Sequence, residues 1–71
     1  MNGIVRQLVA ARREQHLTQA DVAARMGCAQ GAVANRESGT RAVRLDVAEA
    51  WAAALGYRLA LIPLEGEEGA A

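Results

Sequence analysis

Residues 18–39, TQADVAARMGCAQGAVANRESG, read as two short helices about a tight turn, with Gly27 and Gly39 placed to end them. Thr18 is a good N-cap, and Asp21 stands three residues on, as in a capping box. Val22, Ala23 and Met26 then fall on one helical face. Gly27 follows at once, where a helix ends in the left-handed conformation that only glycine adopts cheaply. Cys28 and Ala29 make the turn. A further helix, over about 29–38, starts near Gln30, turns Ala32 and Val33 inward and stops at Gly39.

Helical periodicity extends to both sides of this stretch. In residues 3–16, Ile4, Leu8 and Ala11 repeat at helical spacing with Val5 beside them. Arg12 falls on the same face as Leu8, an odd place for a charge without a partner; otherwise it snorkels to solvent. In residues 45–55, Leu45, Ala48, Ala52 and Leu55 form an apolar stripe with Trp51 on its flank, and Gly56 ends the helix. Residues 57–64, YRLALIPL, change character. Tyr57, Leu59 and Leu61 alternate with Arg58 and Ala60, the run is rich in strand formers, and Pro63 limits it to an edge. Residues 65–71 read as a disordered, Gly-rich acidic tail. The expected fold is therefore all-α, with four to five helices over 1–56 and a short C-terminal β-strand over 57–64.

A chain of 71 residues makes one domain, near the lower limit for folding on a single core, so a dimer partner would help stability. The single cysteine rules out an intramolecular disulfide and fits a reducing cytoplasm. No charged-then-apolar leader and no bilayer-length apolar run occur, so the reading is cytoplasmic with no membrane partner. The net charge of zero hides an asymmetry: residues 1–64 carry eight Arg against five acids, or +3, and the tail carries −3. A mildly basic globule with an acidic tail is compatible with a nucleic-acid partner.

No enzyme reading survives. Paired carboxylates with an activated neighbour, a nucleophile with a base, a phosphate loop and metal-ligand spacing are all missing, so no catalytic residue, metal or cofactor is expected. His16 ends the first helix as a cap or surface residue. Cys28, with no basic cluster or His to activate it, packs as a small apolar residue.

LTQADVAARMG, then Q-x-A-V and ESG, resembles the Xre-type (lambda-repressor-like, Cro-like) helix-turn-helix regulators. The likeness continues through LDVAEAWAAALGY and covers roughly residues 4–57. It implies double-stranded DNA as partner, with the N-terminal turn of the third helix in the major groove. Gln30 matches the family glutamine that reads base edges, and its amide suits adenine N6 and N7. Asn35 lies close to the same face with the same chemistry, Ala34 suits a thymine methyl, and Gly31 permits close backbone approach. Gln19 matches the family glutamine that bonds a phosphate and braces the first glutamine of the third helix. Thr18 and the positive helix end add to that contact. Thr40, Arg41 and Arg44 lie in the loop where the family contacts the DNA backbone. The resemblance also pairs Arg12 with Glu37. Three positions depart from the family. Ala29 stands where Ser or Thr usually caps the helix, and Asn35 where Arg or Lys is frequent. Arg36 replaces an apolar residue, and either snorkels toward a phosphate or weakens packing.

The strand sets the expected oligomer. Alone it leaves backbone groups unpaired and Leu59, Leu61, Ile62 and Leu64 in water, so antiparallel pairing with the same strand of a second copy, Tyr57 included, gives a homodimer. The alternatives are a strand folded back on its own helices, or a dimer contact through the fourth helix and Trp51. Two function classes remain: a repressor bound as a dimer to an inverted repeat, and an antitoxin-type module that neutralises a toxin protein.

Overall fold

The structure, a computed structural model, describes residues 3–39 and 42–64. Thr40, Arg41 and the tail at 65–71 lie outside these residues, as do the expectations placed on them. Four helices follow in order: α1 (Gly3–Glu14), α2 (Gln19–Met26), α3 (Gln30–Ser38) and α4 (Leu45–Ala54). α2 packs on α3 and α4, and α1 closes against α3 and α4.

The helix ends are built from local chemistry. Thr18 starts α2 in a capping box: the Asp21 N–H donates to Thr18 Oγ1 at 3.0 Å, and the Thr18 N–H donates to Asp21 Oδ2 at 2.8 Å. Gly27 ends α2 at φ 73°, and the Cys28 N–H reaches back to the Ala23 carbonyl at 3.0 Å. A Cβ on Gly27 would meet nothing within 4 Å, so it is the left-handed backbone and not crowding that requires glycine. α1 ends with the same pattern of bonds. The His16 N–H donates to the Arg13 carbonyl at 3.0 Å, and the Leu17 N–H to the Arg12 carbonyl at 3.1 Å. Here the left-handed position is held by His16 at φ 57°, the cap role expected of it taken without a glycine's freedom.

Val5 and Leu8 of α1, Val22 and Ala23 of α2, Val33 of α3, Trp51 and Ala52 of α4, and Leu55 just beyond meet in one core. Trp51 is fully buried at its centre. This corrects the flank position and the dimer contact expected of Trp51, since it has no surface to offer a partner. The reason is volume: in a chain with no Phe and helices rich in Ala, the single Trp is the largest apolar side chain available to fill the space between them. Its Nε1 has no hydrogen-bond partner among the described residues, a cost of about 1–3 kcal/mol that the burial of the rest of the ring offsets. Leu45 is also displaced from its expected place: it is exposed in the first turn, and the buried stripe of α4 begins at Ala48. Val5 takes the core place expected of Ile4, which is exposed.

Residues 57–64 form no helix and, among the described residues, no strand. The strand expected there is not present in the single chain, because four helices offer it no sheet edge to join. Leu59 packs against the core, whereas Tyr57, Leu61, Ile62 and Leu64 are exposed.

Candidate nucleic-acid interface

α2, the turn at 27–29 and α3 form the helix-turn-helix, with α1 and α4 behind it. On α3, Gln30, Gly31 and Asn35 are exposed and Ala34 is half-buried. A Cβ on Gly31 would meet nothing within 4 Å, so the backbone of this turn is open to close approach. Ala29 occupies the N-cap of α3 in extended geometry, with no side-chain bond to the first turn. The leading N–H groups of α3 therefore point outward without a side-chain cap, where a helix end attracts anions.

A chain of polar side chains ties this surface to the interior. Arg12 Nε donates to Glu37 Oε2 at 2.7 Å and Nη2 donates to Oε1 at 3.1 Å, while Nη1 donates to the Leu17 carbonyl at 2.9 Å. The side chains of Arg12 and Glu37 are only 12% and 8% exposed. A buried carboxylate needs such a partner, and the two-pronged guanidinium supplies it. This explains the arginine on the apolar face of α1. Gln19 Nε2 donates to Glu37 Oε1 at 3.0 Å, and Gln30 Nε2 donates to Gln19 Oε1 at 2.7 Å. The Gln19–Glu37 bond has no expectation behind it: it joins residues 18 apart, one opening α2 and one closing α3, and no local pattern marks it.

The other candidates are spread around this centre. Thr18 is exposed, and its hydroxyl oxygen accepts from the Asp21 N–H. The Asp21 carboxyl is held below its ordinary value of 3.8 first by the hydrogen bond from the Thr18 backbone, then by the Thr18 hydroxyl, with a smaller contribution from Arg25. Arg36 is half-buried along the turn, its Nη1 3.8 Å from Cys28 Sγ, and Cys28 packs on the rim of the core. Arg44 stands at the N-cap of α4, exposed, and pairs with Asp46 at 3.1 and 3.2 Å. So exposed a pair contributes about 0–1 kcal/mol, and Arg44 can exchange it for another anion at little cost. Two further side chains cap the opposite end of α4: Gln15 Nε2 donates to the Leu55 carbonyl at 2.8 Å and Arg25 Nη1 to the Ala54 carbonyl at 3.0 Å.

Among the described residues, no three His, Cys, Asp or Glu side chains are placed to hold a metal ion, and no helix is long and apolar enough to cross a membrane. Compared with known families, the helix-turn-helix family model matches residues 8–62, which takes in the second half of α1 and all of α2, α3 and α4. No curated protein and no solved structure matches the chain.

Proposed function

Because the chain belongs to the helix-turn-helix family of the Xre, lambda-repressor-like type, a DNA-binding regulatory family that is not typically enzymatic, we propose that it is a cytoplasmic repressor binding an inverted-repeat operator as a homodimer. The observation that carries this reading is Gln30: it is exposed at the first turn of α3, and its amide is braced by Gln19. A side chain held in this way presents a fixed hydrogen-bonding edge to the major groove. Gly31, Ala34 and Asn35 complete the base-reading face. Thr18, Gln19, Arg36, Thr40, Arg41 and Arg44 supply phosphate contacts that set the register of the domain on the duplex.

The second copy docks through residues 57–64. Leu61 is fully exposed, with Ile62 and Leu64 at 82% and 68%, a concentration of apolar surface that a lone domain of this size gains nothing by presenting. A cleft of about 330 Å³ lined by Ile4, Leu8, Ala11, Tyr57 and Leu59 continues this surface onto α1. Antiparallel pairing of the two segments about a two-fold axis satisfies their backbone groups and covers Tyr57, Leu59, Leu61, Ile62 and Leu64. The same axis sets the two copies of α3 roughly 34–36 Å apart, one DNA turn.

A second reading draws on the same exposed leucines: an antitoxin-type module whose C-terminal segment holds a toxin protein, with DNA binding serving autoregulation or lost. Selection of bound sites from a random duplex pool, at stated salt, separates the two. The repressor reading expects an enriched palindromic motif. Recovery of no motif favours the interaction module.

A further inference from the structure

We propose that Glu37 is a positioning residue for base recognition: held by Arg12, it fixes which end of the Gln19 amide faces α3, and thereby which hydrogen-bonding edge Gln30 turns outward. The inference rests on the DNA-binding reading above.

A primary amide has two ends of nearly equal shape and opposite hydrogen-bonding character. An exposed glutamine on a helix turns either end outward, so by itself it reads a base poorly. The polarity here is set from the interior by chemistry. The Glu37 carboxylate accepts only, and it is 8% exposed and gripped by Arg12 from Nε and Nη2. Whatever else bonds it must donate. Gln19 meets Glu37 with Nε2 at 3.0 Å, which turns its Oε1 toward α3. That oxygen also accepts only, so Gln30 meets it with Nε2, at 2.7 Å. One N–H of Gln30 is thereby engaged. The other N–H and Oε1 remain, one donor beside one acceptor.

This pair complements adenine, which offers N7 as acceptor and N6–H as donor in the major groove. Guanine offers two acceptors there, N7 and O6, and O6 would face the Gln30 oxygen. Reversing the relay reverses the preference. If Gln19 presented its N–H to Gln30, the Gln30 oxygen would be engaged and two N–H donors would face the groove, suiting guanine. The reversed state requires a donor at position 37, which glutamate cannot supply. The ion pair that joins α1 to α3 therefore also selects between purines at one position of the operator.

The test is base preference at the pair read by Gln30, located as the position where Gln30→Ala loses discrimination. Binding is measured by competition between full-site duplexes carrying A or G there, for the wild type, Glu37→Gln and Gln19→Leu. The wild type should favour adenine by about tenfold, within the range for a bidentate contact. Glu37→Gln admits both polarities and Gln19→Leu cuts the relay, so in each the ratio should fall at least threefold, by the same estimate. A purely structural role would weaken both duplexes alike and leave the ratio unchanged. In the double mutant, Glu37→Gln should add no further loss, because it acts only through Gln19. Gln19→Leu leaves the Arg12–Glu37 pair in place, so it carries the test where Glu37→Gln fails to fold by circular dichroism. A wild-type preference for guanine, or adenine preference retained in the folded variants, overturns the proposal while leaving the regulator reading intact. A wild type that discriminates at no position overturns both.

Discussion

The Arg12 guanidinium holds the Glu37 carboxylate at 2.7 and 3.1 Å across 25 residues of chain, and with it α1 is fastened to α3. Truncating one side of a buried pair leaves the other charge buried alone, which costs about 3–5 kcal/mol. A chain of this size has a total stability on the order of 4–10 kcal/mol. Arg12→Ala should therefore remove a large share of it, and a denaturant titration followed by circular dichroism measures the loss. A melting temperature within a degree or two of wild type, by a rough conversion of about 4–8 °C per kcal/mol, would show that the pair adds nothing.

What could be read in the chain and what could not divides by distance along it. Thr18, Asp21 and Gly27 act on backbone groups within a few residues, so their roles are visible in local order alone. The same holds for the helices themselves, whose apolar spacing is a local property. Arg12 on an apolar face signals that a partner exists, but the pattern that names Glu37 comes only from family resemblance. Trp51 shows the limit of periodicity: a helical wheel gives its angle on α4 but not how far the neighbouring helices stand, and only their small side chains put it at the centre. Alternation over 57–64 indicates a segment suited to an extended course, but a strand requires an edge to pair with, and none is present among the described residues.

His16 offers a test of the end of α1. It holds φ 57° where a glycine usually stands, and the left-handed region costs an L-residue roughly 1–2 kcal/mol. Glycine removes that strain but adds freedom to the unfolded chain, so His16→Gly should gain about 0.5–1 kcal/mol. The gain is read as a higher denaturant midpoint with an unchanged slope. A lower midpoint would mean that the imidazole makes a contribution of its own.

Ala29 is the corresponding weak point at the start of α3, where no side chain answers the leading N–H groups. Ala29→Ser supplies the missing acceptor and should stabilise the domain by about 1 kcal/mol. Its hydroxyl also adds one neutral donor at the proposed phosphate face. Binding should tighten for all duplexes alike, with no change in the slope of affinity against salt, because no charge is added. Thermal melts and a salt series of binding isotherms check both effects.

Acid should loosen the start of α2. The Asp21 carboxyl lies below its ordinary value of 3.8 in the folded chain because it accepts the Thr18 backbone N–H. A lowered folded-state pKa means that the unfolded chain binds the proton more readily. The stabilisation is therefore complete above the ordinary value and is lost as pH falls through the lower folded-state value. Melts of wild type and Asp21→Asn between neutral pH and about pH 2, a range chosen to span the aspartate titration, should converge toward the acid end. A gap that stays constant with pH would assign the difference to something other than this proton.

The dimer is best tested at residues that do nothing for the single chain. Leu59 is unsuitable, because it packs on the core and its loss would mix unfolding with dissociation. Leu61 and Ile62 are 102% and 82% exposed, so Leu61→Ser with Ile62→Ser removes little packing within the chain. If residues 57–64 of two copies cover one another, each buried Leu or Ile side chain contributes about 1.5–3 kcal/mol relative to exposure, and both copies lose two of them. That sum exceeds the difference between a micromolar and a millimolar dimer, about 4 kcal/mol. At micromolar concentration the wild type should sediment as a dimer. The double variant should sediment as a monomer, with the wild-type helix signal and weak binding to a full palindromic site. A variant that still sediments as a dimer would place the interface elsewhere than on these side chains, and the pairing of the 57–64 segments would have to be abandoned.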